Sequence, residues 1–158
     1  MLPFNHLHPA IVHFPIALLT VAPAIFLLGA LWPAQRRGVH AVALGLLLMG
    51  VLGGLAALIT GEAAQSFARR TPELRAALDH HEELAEGTLW IFGTLAAAWC
   101  AHLGLVRLRR RELPLVLGRT LFILWMLLSA CGVVGLVLTG HEGGRMVHVL
   151  HTHGGEAP

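Results

Sequence analysis

The sequence has no lysine and no tyrosine, and only 13% of its 158 residues are charged. Soluble domains carry roughly 25% charged residues. Hydrophobic residues make up 56% of the chain, and the mean hydropathy is +0.70. So few charged side chains are not enough to make a folded chain of this size soluble in water. The sequence therefore predicts a membrane protein, with residues 1–158 forming one domain whose apolar surface contacts the lipid bilayer.

Lysine is absent, so all 11 cationic residues are arginines, and they occur in short clusters without interleaved aromatic residues. This pattern argues against nucleic acid as a partner. Cysteine is also scarce, since Cys100 and Cys131 both lie inside apolar segments and cannot form a disulfide framework or a zinc knuckle. We predict that they are small, buried packing residues. No CxxCH motif is present, which excludes covalently attached c-type haem.

The chain contains long apolar stretches without charged residues. Four of them cover residues 10–32, 41–59, 88–106 and 120–139. Each is long enough to cross a hydrocarbon layer of ~30 Å at ~1.5 Å per residue. The predicted fold is all-α, an antiparallel bundle of four transmembrane helices. Thr71, Pro72 and Glu73 indicate a helix start, so the third helix is expected to begin with a short extension outside the membrane.

Glycines in the second and fourth spans indicate close packing between helices. Gly50 and Gly54 form a small-xxx-small pair, and Gly132 and Gly135 lie in the fourth span. Small residues let helix backbones approach where the hydrophobic effect no longer drives association. The pattern fits a compact bundle and a homodimer equally well.

The arginine distribution predicts the orientation of the bundle. One side carries Arg36, Arg37, Arg107, Arg109, Arg110, Arg111 and Arg119, and the other carries Arg69, Arg70, Arg75 and Arg145. The positive-inside rule then places both termini outside the cytoplasm, which for a bacterial inner membrane is the periplasm. Of the 11 histidines, all but His40 and His102 fall on this outer half. They are His6, His8, His13, His80, His81, His141, His148, His151 and His153.

Depth and helical phase rank these histidines. His13 lies about one turn inside the first span, where an ionisable residue is costly unless it has a partner or a function. His81 lies on the apolar stripe of the third helix, whereas His80 lies on its polar side. The leading candidates for binding a cofactor are His13, His81, His141 and His8. Weaker candidates, for binding a metal ion, are His80, His148, His151 and His153.

Two stretches resemble a known family. The opening, from His8-Pro9 through His13-Phe14-Pro15, resembles the HPxxVHFPIAL opening of the bacterial predicted membrane proteins called domain of unknown function 2231. The segment from Thr139 to Val147, with its glycine pair, resembles the motif that closes the family's last helix. Thr60-Gly61 and a histidine at the start of the third span, His80 or His81, are similar as well. The resemblance implies a four-helix membrane fold, and it implies no reaction.

We expect the histidines to bind a redox cofactor, haem b, for electron transfer. A bundle can supply two opposed imidazoles as axial ligands, here a pair drawn from His13, His81 and His141. The electron would pass to a soluble periplasmic partner or to other subunits of a membrane complex. The small residues expected to leave room for the porphyrin are Ala17, Ala85, Ala130 and Gly132.

Three alternatives remain open. Three or four histidines, with Glu83, Glu86 or Glu142, would be suitable ligands for zinc or copper. Imidazoles that titrate near pH 6.5 would suit a pH sensor. A non-catalytic subunit or scaffold with structural histidines would bind no cofactor. The chain has no HExxH motif, so hydrolysis by a zinc enzyme is not favoured.

Overall fold

The computed structural model describes residues 7–65, 71–109 and 114–148, and these residues are almost entirely helical. The four long helices are α1 (Leu7–Leu31), α2 (Arg36–Gln65), α3 (Pro72–Arg109) and α4 (Leu115–His148), with one 3₁₀ turn at Pro33–Gln35. The predicted all-α fold with four helices is confirmed. The helices are longer than the four apolar stretches because the flanking residues of α2 and α3 are rich in alanine, glutamate and leucine, which favour helix.

The start of α3 is stabilised by the cap that the sequence predicts. The backbone N–H of Leu74 donates a hydrogen bond to Thr71 Oγ1 over 3.2 Å, and Pro72 occupies the first helical position. Proline is well tolerated there because its missing N–H would have no partner within the helix. The helix continues without interruption from this extramembrane start into its apolar part, as predicted.

Replacement of Thr71 by alanine is expected to destabilise the protein by about 1 kcal/mol, because it removes the acceptor for a backbone N–H in the first turn. Thermal unfolding in detergent measures this loss. Thr94→Ala is the matched control, since Thr94 lies exposed in the interior of the same helix. Equal unfolding temperatures for the two variants would show that the cap contributes nothing.

The helices pack as two hairpins. Contacts are most extensive between α1 and α2 and between α3 and α4, α2 also packs on α3, and α1 lies less extensively against α4. The helices are thus arranged in a ring in chain order, which places α1 diagonally opposite α3. Buried side chains at the centre include Leu19, Leu47 and Phe92.

Glycines allow the close approach at the seams between helices. A Cβ at Gly50 would lie 2.6 Å from Leu19 Cδ2 of α1, and one at Gly54 would lie 2.7 Å from Leu89 Cδ1 of α3. Gly132 meets the Phe92 ring in the same way. The prediction that these glycines serve helix packing is confirmed. Real Cβ atoms do not come this close to a neighbour, so only glycine fits without displacing a side chain.

The outer surface of the bundle is apolar. All four helices are long and apolar enough to cross a membrane, and less than a third of each apolar stretch is buried inside the protein. Large side chains such as Leu52, Ile59 and Val137 are exposed, as expected where lipid replaces water. Cys100 and Cys131 also lie on this surface and are unpaired. The prediction that they are buried is wrong, because in a membrane an apolar segment marks the lipid-facing surface as readily as the core.

Candidate functional site

One end of the bundle holds a cluster of polar residues to which every helix contributes one member. The members are His8 of α1, Thr60 of α2, His81 of α3 and Thr139 of α4, and we call them the polar cluster. All four are partly buried. The antiparallel arrangement brings them together, because the starts of α1 and α3 and the ends of α2 and α4 lie at the same end of the bundle.

His8 is held against the end of α2. Its Nδ1 lies 3.3 Å from Thr60 Oγ1, and the Thr60 hydroxyl donates to the carbonyl oxygens of Ala56 and Ala57, over 3.0 and 3.1 Å. The imidazole rests on the backbone of Gly61, where a Cβ would lie 3.0 Å from His8 Cε1. The Thr-Gly pair therefore supplies both a hydrogen-bond acceptor and space for the ring.

His81 is held in a corresponding way against α4. Its Nδ1 lies 3.0 Å from the carbonyl oxygen of Thr139, whose own hydroxyl donates to the Gly135 carbonyl over 2.9 Å. A Cβ at Gly143 would lie 3.3 Å from His81 Cε1. Glu142 is near enough to act electrostatically on the ring. Gly143 of the closing motif thus lets a histidine of α3 rest on the α4 backbone.

The hydrogen-bond partners favour Nδ1 as the protonated nitrogen of both rings. A carbonyl oxygen only accepts, so His81 Nδ1 must donate to Thr139. The Thr60 hydrogen is directed to Ala56 and Ala57, so Thr60 Oγ1 accepts from Nδ1 of His8. In both neutral rings Nε2 therefore carries the lone pair. A histidine that binds a metal through Nε2 characteristically donates its other N–H to an oxygen in this way.

Electrostatics keep His8 in the neutral form that a ligand requires. Burial lowers the pKa of His8 below 6.5, against a smaller raising effect of the nearby Ala57 backbone. Positive charge on His81 lowers the pKa of His8 further, so the two imidazoles are close enough to interact across the bundle. At neutral pH, His8 thus has a lone pair available for binding a ligand.

The other predicted histidines are placed differently. His13, His80 and His141 have exposed side chains, whereas His8 and His81 are partly buried and near enough to interact electrostatically. The separation of His81 from His80 by helical phase agrees with the structure. His148 is the last residue of α4, and its side chain is not among the parts that the structure describes. His6, His151 and His153 lie wholly outside the described residues.

Two expectations about cofactor space and metal ligands are not met in the described part of the chain. Of the four small residues expected to make room for a porphyrin, Ala17 and Ala130 face outward and Ala85 is partly buried. The space beside Gly132 is filled by Phe92. Within residues 7–65, 71–109 and 114–148, no three side chains of histidine, cysteine, aspartate or glutamate form a group that could hold a metal ion. The predicted zinc or copper site has no set of three ligands there.

Sequence reasoning assigned no role to a second cluster, at the opposite end of the bundle. Phe26, His40, Trp99 and Trp125 come from four different helices, and the ring centroids of Phe26 and Trp125 are 4.1 Å apart. The sequence does carry a signal for this cluster. Phe26 follows His8 on α1, and Trp99 follows His81 on α3, by the same 18 residues. Thr60 and Thr139 each belong to a stretch that resembles the family, but neither threonine was predicted to be part of the site.

Together these features define a four-helix membrane protein with one polar residue from each helix gathered at one end. The chain belongs to the family described as predicted membrane protein (DUF2231), whose model matches residues 5–155. No curated protein and no solved structure is detectably similar to it. Each of the four stretches on which the family resemblance was based supplies one member of the polar cluster.

Proposed function

We propose that this protein binds haem b at the polar cluster, with His8 and His81 as axial ligands, and serves in electron transfer. The observation that supports this most is that the two imidazole rings have the same hydrogen-bonding arrangement. Both come from diagonally opposed helices, both hold Nδ1 on an oxygen, and both keep the Nε2 lone pair for a ligand. Bundle proteins bind cofactors with inward side chains of facing helices in this way.

Haem fits this donor set better than a bare metal ion does. A b-type haem takes only two ligands from the protein, whereas zinc sites generally take three or four. Bound haem would supply reversible one-electron chemistry at the iron. The chain's own contribution is to fix the two ring orientations, through Thr60 and the Thr139 carbonyl. Arg145, paired with Glu142 over 2.8 Å at the same end, supplies a cation for the haem propionates.

The first experiment is an absorbance spectrum of the purified protein, reconstituted with haem and measured as reduced minus oxidised. Sharp α and Soret bands at one haem per chain are the expected result. If the protein is colourless and contains stoichiometric zinc or copper by elemental analysis, binding of a metal ion would replace haem binding as the proposed function. A protein that binds neither would leave the scaffold with structural histidines as the function.

We also propose that the polar cluster faces the periplasm of a bacterial inner membrane, because Arg36, Arg37, Arg107 and Arg109 lie at the other end of the bundle. Alkaline phosphatase fused after Pro158 is then expected to be active. The same enzyme fused after Glu112, in the link between α3 and α4, is the internal control and is expected to be inactive. The reverse pair of results would contradict this orientation.

A further inference from the structure

The second cluster is built from five rings at the end of the bundle opposite to the polar cluster. We call it the aromatic cluster, and its members are Phe26, His40, Trp99, Phe122 and Trp125. Phe26 is central: it stacks on His40 at 4.5 Å and on Phe122 at 5.5 Å, and it meets Trp99 edge-on at 4.4 Å between ring centroids.

The aromatic cluster lies on the far side of the membrane from the polar cluster. Phe26 is 18 residues beyond His8 along α1, which corresponds to about 27 Å at ~1.5 Å per residue. That distance is close to the thickness of the hydrocarbon layer. Arg36 lies near enough to act electrostatically on His40. The cluster is therefore at the boundary between lipid tails and headgroups.

One polar atom in this cluster has no partner. Trp125 is 9% exposed. Its Nε1 is buried and makes no hydrogen bond to any of the residues that the structure describes. An indole N–H only donates, and leaving it buried without an acceptor costs the desolvation free energy of the group. Buried groups of this kind are rare and call for an explanation. An acceptor oxygen from outside the chain would satisfy it.

His40 offers the complementary group. Its Nε2 lies 3.2 Å from the Phe26 carbonyl oxygen, so Nε2 carries the hydrogen and the neutral ring keeps a lone pair on Nδ1. The ring packs directly on Gly29, which no residue with a Cβ would allow in this position. The cluster thus has one unpartnered donor, Trp125 Nε1, and the ring of His40 that stacks on Phe26 has a lone pair on Nδ1 that can accept a hydrogen bond.

We infer that the aromatic cluster binds the head ring of a membrane quinone. A quinone is a flat conjugated ring that dissolves in lipid and presents carbonyl oxygens. One carbonyl would accept from Trp125, the ring would pack on aromatic side chains as aromatic pairs do, and the hydroxyl of the reduced form would donate to His40. A buried water is a poorer occupant, because such waters typically make about three hydrogen bonds, and this cluster is mostly ring carbon.

The packing of the bundle indicates how such a ring would enter. α1 and α4 lie against each other less extensively than the other neighbouring helices do. Their aromatic residues, Phe26 on α1 and Phe122 on α4, meet at this seam, and Phe122 is only half-buried. A lipid-soluble ring would therefore reach Trp125 from the bilayer between these two helices. The site does not depend on haem at the polar cluster.

The test is titration of the full-length protein in lipid nanodiscs with decylubiquinone, followed by quenching of tryptophan fluorescence. Saturable quenching is expected for the wild type. Trp125→Phe keeps an aromatic side chain but removes the indole N–H together with part of the fused ring, so it should weaken binding by at least about three- to tenfold, the loss of one hydrogen bond. Trp90→Phe is the matched control, because Trp90 is 76% exposed and its loss should leave the affinity unchanged.

Thermal unfolding with and without quinone gives a second measurement, in which each variant is compared with itself. Bound quinone should raise the unfolding temperature of the wild type, because a ligand that binds only the folded state stabilises it, and it should raise that of Trp125→Phe less. No increase for the wild type, or equal increases for both proteins, would overturn the inference. Quenching that does not saturate, or equal affinities for Trp125→Phe and Trp90→Phe, would overturn it as well.

Discussion

Replacement of His81 by alanine is expected to abolish the haem spectrum, because His81 is the proposed ligand from α3, with His8 as its proposed partner. Changes to residues that only orient a ligand typically reduce cofactor affinity ~10–100-fold, and removal of the ligand itself should cost more than this. His8→Ala should have the same effect. The measurement is haem content per chain and the reduced-minus-oxidised spectrum after reconstitution of each variant.

His80→Ala is the matched control for His81→Ala, since His80 is the preceding residue on the same helix and its side chain is exposed. It should retain the spectrum, as should His141→Ala. Thr60→Ala is expected to weaken haem binding ~10–100-fold through loss of the oxygen that orients His8, and Thr60→Ser should restore it. Normal haem content in His81→Ala, or its loss in His80→Ala, would refute the assignment of ligands.

The second large effect is expected at the seam between α3 and α4. A Cβ at Gly132 would lie 2.7 and 2.8 Å from Phe92 Cζ and Cε2, and Phe92 is 0% exposed within the buried core, so the added side chain would displace packed core atoms. Gly132→Val should therefore lower the free energy of unfolding by ~1–3 kcal/mol, the usual cost of overpacking a core. Thermal or denaturant unfolding in detergent measures the loss.

Gly140→Val is the control on the same helix, because a Cβ at Gly140 meets no atom within 4 Å. Both substitutions change helix propensity equally, so the difference between them reports packing alone. Adding Phe92→Leu to Gly132→Val should restore part of the lost stability, since contacting residues are not additive. Equal stability of the two valine variants would show that the seam tolerates a side chain at Gly132.

The stretches on which the family resemblance was based meet in one place in the structure. They are His8-Pro9, Thr60-Gly61, a histidine at the start of the third span and the closing glycine motif. These pieces are far apart in the sequence and meet in the polar cluster. A histidine seated on glycine is common to both halves, at Gly61 and at Gly143. The two contacts differ in detail, because His8 bonds the Thr60 hydroxyl and rests on the next residue, Gly61, whereas His81 bonds the backbone carbonyl of Thr139 and rests on Gly143.

The sequence by itself determined the features that depend on local patterns. The number of helices follows from apolar stretches that are long enough to span a bilayer, and the start of α3 follows from Thr71 and Pro72. Helical phase was also sufficient to separate His81 from His80, because one turns inward and the other outward on a single rigid helix. None of these conclusions requires knowledge of which helices are neighbours.

Only the tertiary structure decided which residues from different helices meet. Depth alone favoured His13 as the partner of His81, but the rotation of α1 about its axis exposes His13 and turns His8 toward Thr60. That rotation is set by packing, such as Leu19 against Gly50, and no local pattern encodes it. The aromatic cluster and the lipid-facing cysteines have the same origin. In lipid, core and surface are equally apolar, so hydrophobicity predicts that a helix spans the membrane without indicating which of its faces turns inward.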